Sequence, residues 1–189
     1  DDGDDGEDNE APARSVDLAP FRINMFEITN RLYAAFVEAT GHRPAFYHNH
    51  PLFGLPDRPA VGLSWADGDD FCRHYGLKLP TEQQWERAAR GPDGRIFPWG
   101  DEPSSIETAN RGTSECCDVD AGDGYLGTAP VSSYPAGQTP EGVMDMAGNV
   151  WELVDGWYGP YDTDPADRER KFRVLRGGAY NSHDWKLRA

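Results

Sequence analysis

Two segments near the end of the chain hold the residue types best suited to chemistry. In Asp145-Met146-Ala147-Gly148-Asn149-Val150-Trp151-Glu152, two acidic side chains flank a Gly-Asn turn and one indole. At that spacing carboxylates and turn carbonyls can converge on a hard cation. Further on, Arg173-Val174-Leu175-Arg176-Gly177-Gly178-Ala179-Tyr180 reads as a short strand that meets a double glycine, where backbone can approach other backbone closely. The next stretch, Asn181-Ser182-His183-Asp184-Trp185-Lys186-Leu187, mixes short polar groups with one aromatic and contains no cysteine. The same residue types also have plainer uses. Asp145, Asn149 and Glu152 can cap turns, and residues 181–187 can form an ordinary exposed loop.

Other reactive side chains are scattered. His48 and His50 have a spacing seen in metal sites, but they lie in a Pro-rich loop with no carboxylate or third histidine nearby, which favours surface histidines. His183 and Asp184 could form an acid/base pair, although consecutive residues of an extended chain point to opposite faces. The three cysteines are Cys72, in a helical stretch, and the adjacent Cys116 and Cys117, so at least one thiol is unpaired within the chain. Asp1 to Glu10 holds seven acidic groups and reads as a mobile, solvated terminus, with a calcium loop as the sharper alternative. The net charge of −15 repels nucleic-acid backbones and anionic membrane surfaces, and suits cations or simple solubility. No apolar run is long enough to cross a bilayer and no signal-peptide pattern is present.

The elements that must position these groups fall into two halves. The 189 residues suffice for one domain, here placed at 15–189, and six Trp, eight Tyr and eight Phe offset a hydrophobic content of only 38%. Alternating Val16, Leu18, Phe21 and Ile23 predict a strand over 15–24, with a slip of register near Pro20. Thr29 is an N-cap for a helix that carries Leu32, Tyr33, Phe36 and Val37 and ends at Gly41. Ser64 opens a second helix, closed by Gly76. Thr81-Glu82-Gln83-Gln84 is a capping box for a third helix running to about Arg90. From Arg95 to Gly142, frequent Gly, Pro, Asn and Asp predict loops and brief strands, which buried tryptophans and bound cations would have to fix.

Taken together, Phe26-Glu27-Ile28-Thr29-Asn30, Leu79-Pro80-Thr81-Glu82-Gln83-Gln84-Trp85-Glu86-Arg87-Ala88-Ala89-Arg90-Gly91, Phe97-Pro98-Trp99-Gly100-Asp101, Gly148-Asn149-Val150-Trp151-Glu152 and Arg176-Gly177-Gly178-Ala179-Tyr180 resemble the formylglycine-generating enzyme family, also called sulfatase-modifying factor domains. The resemblance implies an α+β, loop-rich C-type-lectin-like fold of the formylglycine-generating-enzyme type, with three helices and short antiparallel strands. It also implies two calcium sites. One would use the side chains of Asn110 and Asp123 with the carbonyls of Arg111 and Tyr125, the other Asp145 and Glu152 with the carbonyls of Gly148 and Val150. Both sets are oxygen-only, as a hard divalent cation requires.

Members of the family that make formylglycine carry two cysteines just after the glycine pair, which hold copper(I), a soft ion that prefers thiolates. The corresponding positions here are Ser182 and Leu187, and Ala179 stands where active members carry a serine. Copper is therefore not expected, and adjacent Cys116 and Cys117 are poorly placed to replace the pair on one linear ion. Iron, used by sulfoxide synthases of similar fold, is disfavoured for want of their histidine-bearing helical domain. The reading that remains is a non-catalytic, calcium-stabilised binding module, with an oxidase of this family or a related non-haem oxygenase as the alternative. Its ligand surface would be Tyr180, Asn181, Ser182, His183, Asp184, Trp185 and Lys186, a region also used by the variable proteins of diversity-generating retroelements, and its partner a protein or saccharide. The expected setting is extracellular or periplasmic, without nucleic acid or membrane insertion. The resemblance implies a further closing strand beyond the Leu187-Arg188-Ala189 pattern, so either that strand lies outside the given residues or another chain pairs with the edge it would cover.

Overall fold

Three helices form in the first half because the sequence supplies both ends of each. The computed structural model describes residues 15–113, 118–119, 121–159 and 169–189. Helix α1, Asn30–Thr40, starts at Thr29, whose hydroxyl accepts the Leu32 amide, and stops at Gly41. Helix α2, Trp65–His74, opens with a capping box between Ser64 and Asp67, and α3, Glu82–Arg90, with one between Thr81 and Gln84. All three helices lie where their caps and periodicity predict.

Each helix buries one stripe. Tyr33 and Phe36 of α1 meet Phe71 of α2 with Ala45 beside them, and the Phe36 and Phe71 rings make an edge contact at 5.5 Å. Helix α3 lays Trp85, Ala88 and Ala89 over Met146, Val154 and Val174. The last two belong to a two-stranded antiparallel sheet, β1 (Glu152–Trp157) and β2 (Arg173–Arg176). Its register pairs Glu152 with Arg176, Leu153 with Leu175 and Trp157 with Arg173, with an irregularity between Leu153 and Trp157. The Arg173 guanidinium stands 3.5 Å from the Trp65 ring centre and 3.8 Å from that of Trp157, which clamps α2 to the sheet.

The stretch between α3 and β1 is held by packed turns rather than ladders. Two short 3-10 helices, Ala121–Asp123 and Pro135–Gly137, interrupt it. A small core of Phe97, Ala109, Ala147 and Leu187 lies beneath. Among the described residues, no helix is long and apolar enough to cross a membrane.

The strand predicted over 15–24 does not form. A strand is stabilised by a ladder partner, and no described strand runs beside this segment. Ile23 still packs toward the α3 core, but Val16 is 47% exposed, so the alternation is only partly used. Single backbone bonds fasten the stretch that follows it: the Met144 amide donates to the Met25 carbonyl at 2.9 Å and the Ala60 amide to that of Ile28 at 2.8 Å. The acidic run of residues 1–10 and the Cys116-Cys117 pair lie outside the described residues, while Cys72 is a free, partly buried thiol.

Candidate functional site

The turn before β1 buries Asp145 and leaves Glu152 partly buried. Asp145 takes a left-handed φ of 61° and Asn149 one of 58°, conformations that Asp and Asn tolerate better than most residues. Gly148, at φ 81°, is compulsory: a Cβ there would stand 2.2 Å from the Asn110 carbonyl oxygen. The Asp145 carboxylate accepts the Ser132 amide at 2.5 Å, and that of Glu152 accepts the Trp85 indole N–H. Burial pushes the Glu152 carboxyl up to about 7, against the hydrogen bond from Trp85 and with the Asp145 charge adding to the rise. Burial also raises Asp145.

A third acid joins them. Glu27, two residues before the α1 cap, is raised well above the usual carboxylate range by burial and then by the charges of Asp145 and Glu152. Its Oε1 accepts the Asn149 Nδ2–H at 3.0 Å, while its Oε2 is buried without a donor. Three acids raised in this way mark a place where negative charge lacks compensation. Among the described residues no three His, Cys, Asp or Glu side chains stand as a metal centre on their own, so an ion here would draw on carbonyls as well. The Gly148 and Val150 carbonyls accept no hydrogen bond among the described residues. This donor set, all oxygen and partly backbone, fits calcium rather than zinc or copper.

Asn110 and Asp123 lie in the neighbouring loops. The Asp123 carboxylate accepts the Arg111 amide at 3.0 Å and the Tyr125 amide at 2.9 Å, and the Tyr134 hydroxyl donates to the Asp123 carbonyl at 3.0 Å. These contacts turn the Arg111 and Tyr125 backbone around one carboxylate. The Asn110 Nδ2 donates to the Gly127 carbonyl at 2.9 Å and to the Asn149 Oδ1 at 3.0 Å, but its Oδ1 is buried with no partner. An orphaned carbonyl oxygen beside a carboxylate is again what a hard cation fits.

Asn149 links the two groups. Its Oδ1 accepts from Asn110 Nδ2 and from the Ala129 amide, and its Nδ2 donates to Glu27. Its own amide donates to the Asn110 carbonyl at 2.8 Å.

The segment after the glycine pair hangs from both groups. The Tyr180 amide donates to the Asn149 carbonyl at 2.9 Å, and the Gly112 amide to the Ser182 carbonyl at 2.8 Å. Gly178, at φ 74°, lies where a Cβ would meet the Leu187 side chain at 2.8 Å. Of the seven residues expected to face a ligand, Tyr180, Asn181, His183, Asp184 and Lys186 are half-buried, and Trp185 is 42% exposed. Ser182 points inward: it is 8% exposed and its hydroxyl accepts the Ala179 amide at 3.0 Å. Asp184 accepts a hydrogen bond from Ser104, the Trp185 N–H reaches the His183 Nε2 at 2.6 Å, and the Lys186 ammonium lies 3.7 Å from the Trp185 ring centre. Leu187 is fully buried against Phe97, Ala109 and Ala147. His48 is exposed and His50 stacks on Phe53 at 4.6 Å, so the two rings do not converge on a common centre.

Glu27, Trp85 and Asn149 are side chains of this group whose part in it sequence reasoning passed over. All three stand in the motifs quoted above, yet nothing local marks them: Glu27 and Asn149 are 122 positions apart, and Trp85 and Glu152 are 67 apart.

The sulfatase-modifying factor enzyme 1-like domain model matches residues 2–189. The formylglycine-generating enzyme of Streptomyces coelicolor is 35% identical over 231 aligned positions, covering 94% of this chain and 73% of that protein. The inactive C-alpha-formylglycine-generating enzyme 2 of Mus musculus is 32% identical, over 95% of this chain and 70% of its own length. Among solved structures, PvdO from Pseudomonas aeruginosa superposes with a TM-score of 0.77 at 26% identity, over 100% of this chain and 81% of that one. Treponema denticola variable protein 1 shares the fold, with a TM-score of 0.63 at 20% identity over 86% and 76% of the two chains.

Proposed function

This chain belongs to the sulfatase-modifying factor enzyme 1-like domain family, and from that premise we propose that it is a non-catalytic, calcium-stabilised binding module on a C-type-lectin-like variant of the fold. The observation that carries this reading is the closed environment of Ser182 and Leu187. A copper(I) oxidase of this family needs a soft ligand at both positions. Here one holds a hydroxyl turned onto the Ala179 amide, and the other an aliphatic side chain filling a core. The relative described as inactive, at 32% identity, supports the same reading.

Calcium would be held by Asp145, Glu152, Gly148 and Val150 in one group and by Asn110, Arg111, Asp123 and Tyr125 in the other. When bound, it supplies the positive charge that the buried carboxylates lack. Tyr180 and Ser182 are tied to those same loops, so ordering them would fix the backbone from which Trp185 projects. A rigid, amphipathic indole among short polar groups is the kind of anchor that protein and saccharide surfaces use, and the partner is proposed to be of that class, met outside the cell or in the periplasm.

The oxidase reading keeps a specific observation in its favour, the 35% identity to a formylglycine-generating enzyme. A sulfatase-type peptide with its target cysteine, incubated with the purified chain, copper and oxygen, separates the two. Mass spectrometry is expected to find the cysteine unchanged. Formylglycine in that peptide, with this chain as sole catalyst, would return it to the oxidases.

A further inference from the structure

Trp185 stands on the surface, yet its indole is held at one edge. The indole N–H donates to the His183 Nε2 at 2.6 Å, with the two ring centres 5.3 Å apart and their planes at 70°. An indole nitrogen can only donate, so the His183 Nε2 must be the bare nitrogen and the ring proton must sit on Nδ1. A histidine that takes up a second proton has two donors and no acceptor, and the same contact then sets N–H against N–H. The other fastenings of this turn do not depend on that proton. The Ala179 amide donates to the Ser182 hydroxyl, the Gly112 amide to the Ser182 carbonyl and the Lys186 amide to the His183 carbonyl, while Leu187 fills its core.

Charge around the ring favours its release. On the turn itself, the Lys186 ammonium lies 3.7 Å from the Trp185 ring centre and the Arg188 Nε–H donates to the Trp185 carbonyl at 3.1 Å, so a charged His183 would be a third cation about one indole. The acid of the turn, Asp184, has its carboxylate bonded by Ser104. The loops packed against the turn bring Glu102, Arg111 and Asp118; the Arg111 guanidinium donates to the Gly112 carbonyl at 2.9 Å.

We propose that His183 is a proton-operated latch on Trp185: neutral, it holds the indole edge against the turn, and protonated, it lets the indole go, so that the anchor is presented differently as the surroundings acidify. The latch rests on the binding reading above in that Trp185 is there the anchor, and it adds a regulation of that same surface. Only the side chain is released, because the backbone that carries it stays tied at Ser182, Lys186 and Leu187. Imidazoles take up a proton between about pH 8 and 5, which places the change within the range that proteins meet outside cells and in acidified compartments.

Nuclear magnetic resonance of the whole chain, labelled with 15N in its histidines and tryptophans, tests this without any partner. The Trp185 indole and His183 ring signals are assigned by their loss in Trp185→Phe and His183→Gln. At about pH 8 the His183 ring is expected to carry its proton on Nδ1, with the Trp185 indole proton shifted downfield by its bond. On acidification to about pH 5 the indole proton should move upfield with the same midpoint as the His183 ring nitrogens. In His183→Gln the indole signal should no longer move over that range, since a glutamine amide does not titrate there. A His183 ring that carries its proton on Nε2 at pH 8, or an indole signal that does not follow the His183 titration, would overturn the latch. An indole signal that still moves in His183→Gln with the parent's midpoint would overturn it as well. The unaltered chain alone decides the first two outcomes, should a variant fail to fold. A failed latch leaves the binding reading with an anchor indifferent to pH, whereas formylglycine in the peptide test above would end the binding reading and leave the latch standing.

Discussion

At the scale of single residues, the segment after Gly178 divides into two kinds of side chain. Leu187 and Ser182 face inward, whereas Trp185 rests on the surface with Lys186 over its ring. Trp185→Ala is therefore expected to change unfolding stability by no more than about 0.5 kcal/mol. Leu187→Ala should cost about 2–5 kcal/mol through the cavity it leaves beside Phe97 and Ala147. Urea denaturation of the two variants checks the contrast, and a large loss from Trp185→Ala would place the indole in the core and end its use as an anchor. The polar-plus-aromatic make-up of 180–186 was legible in the sequence. The inward turn of Ser182 was not, because it depends on an amide three residues earlier that only the folded double-glycine turn presents. Glu27 was hidden for a related reason, as its partners come from the other end of the chain.

At the scale of elements, caps and periodicity carried most of the information. The hydroxyls of Thr29, Ser64 and Thr81 do what local chemistry says they should. The strand expected over 15–24 depended on a partner that local sequence cannot supply. The start of α2 also has a long-range part, since Asp67 of its capping box receives a two-pronged contact from Arg43, and the Ser64 hydroxyl and amide donate to the same carboxylate. Burial would raise the Asp67 pKa, but the hydrogen bonds from Arg43 and Ser64 and the Arg43 charge outweigh it and hold it at about 2. A folded-state value below the unfolded one adds stability that is complete above about pH 4 and is lost as the pH falls toward 2. The Arg43 side chain is exposed to solvent, so screening weakens its share of this contribution. Asp67→Asn should lower stability at pH 7 and make the variant and the parent converge in acid. Parallel denaturation curves across the same pH range would show that the ion pair contributes nothing.

At the scale of the whole molecule, the family assignment was legible because its motifs sit in order along nearly the entire chain. What holds the motifs together was not, for it is a buried relay: Asn110 to Asn149 to Glu27, with carboxylates on both sides. With no cation among them, Glu152 is raised to about 7, and Glu27 and Asp145 are raised as well, all by burial first. The sign is opposite to that of Asp67. A folded-state pKa above the unfolded one means that the folded chain binds protons more tightly, so the metal-free protein gains stability as the pH falls through the raised values. Calcium competes with those protons for the same oxygens. Metal-stripped protein should therefore melt at a higher temperature at pH 6 than at pH 8. The added stability from saturating calcium, about 3 kcal/mol at a hundredfold excess over Kd, should be greatest near pH 8 and shrink toward pH 6. Scanning calorimetry of stripped and calcium-loaded protein over that window checks both slopes. A stripped protein that loses stability between pH 8 and pH 6, or a calcium increment that does not depend on pH there, would mean that these carboxylates are not what the cation neutralises.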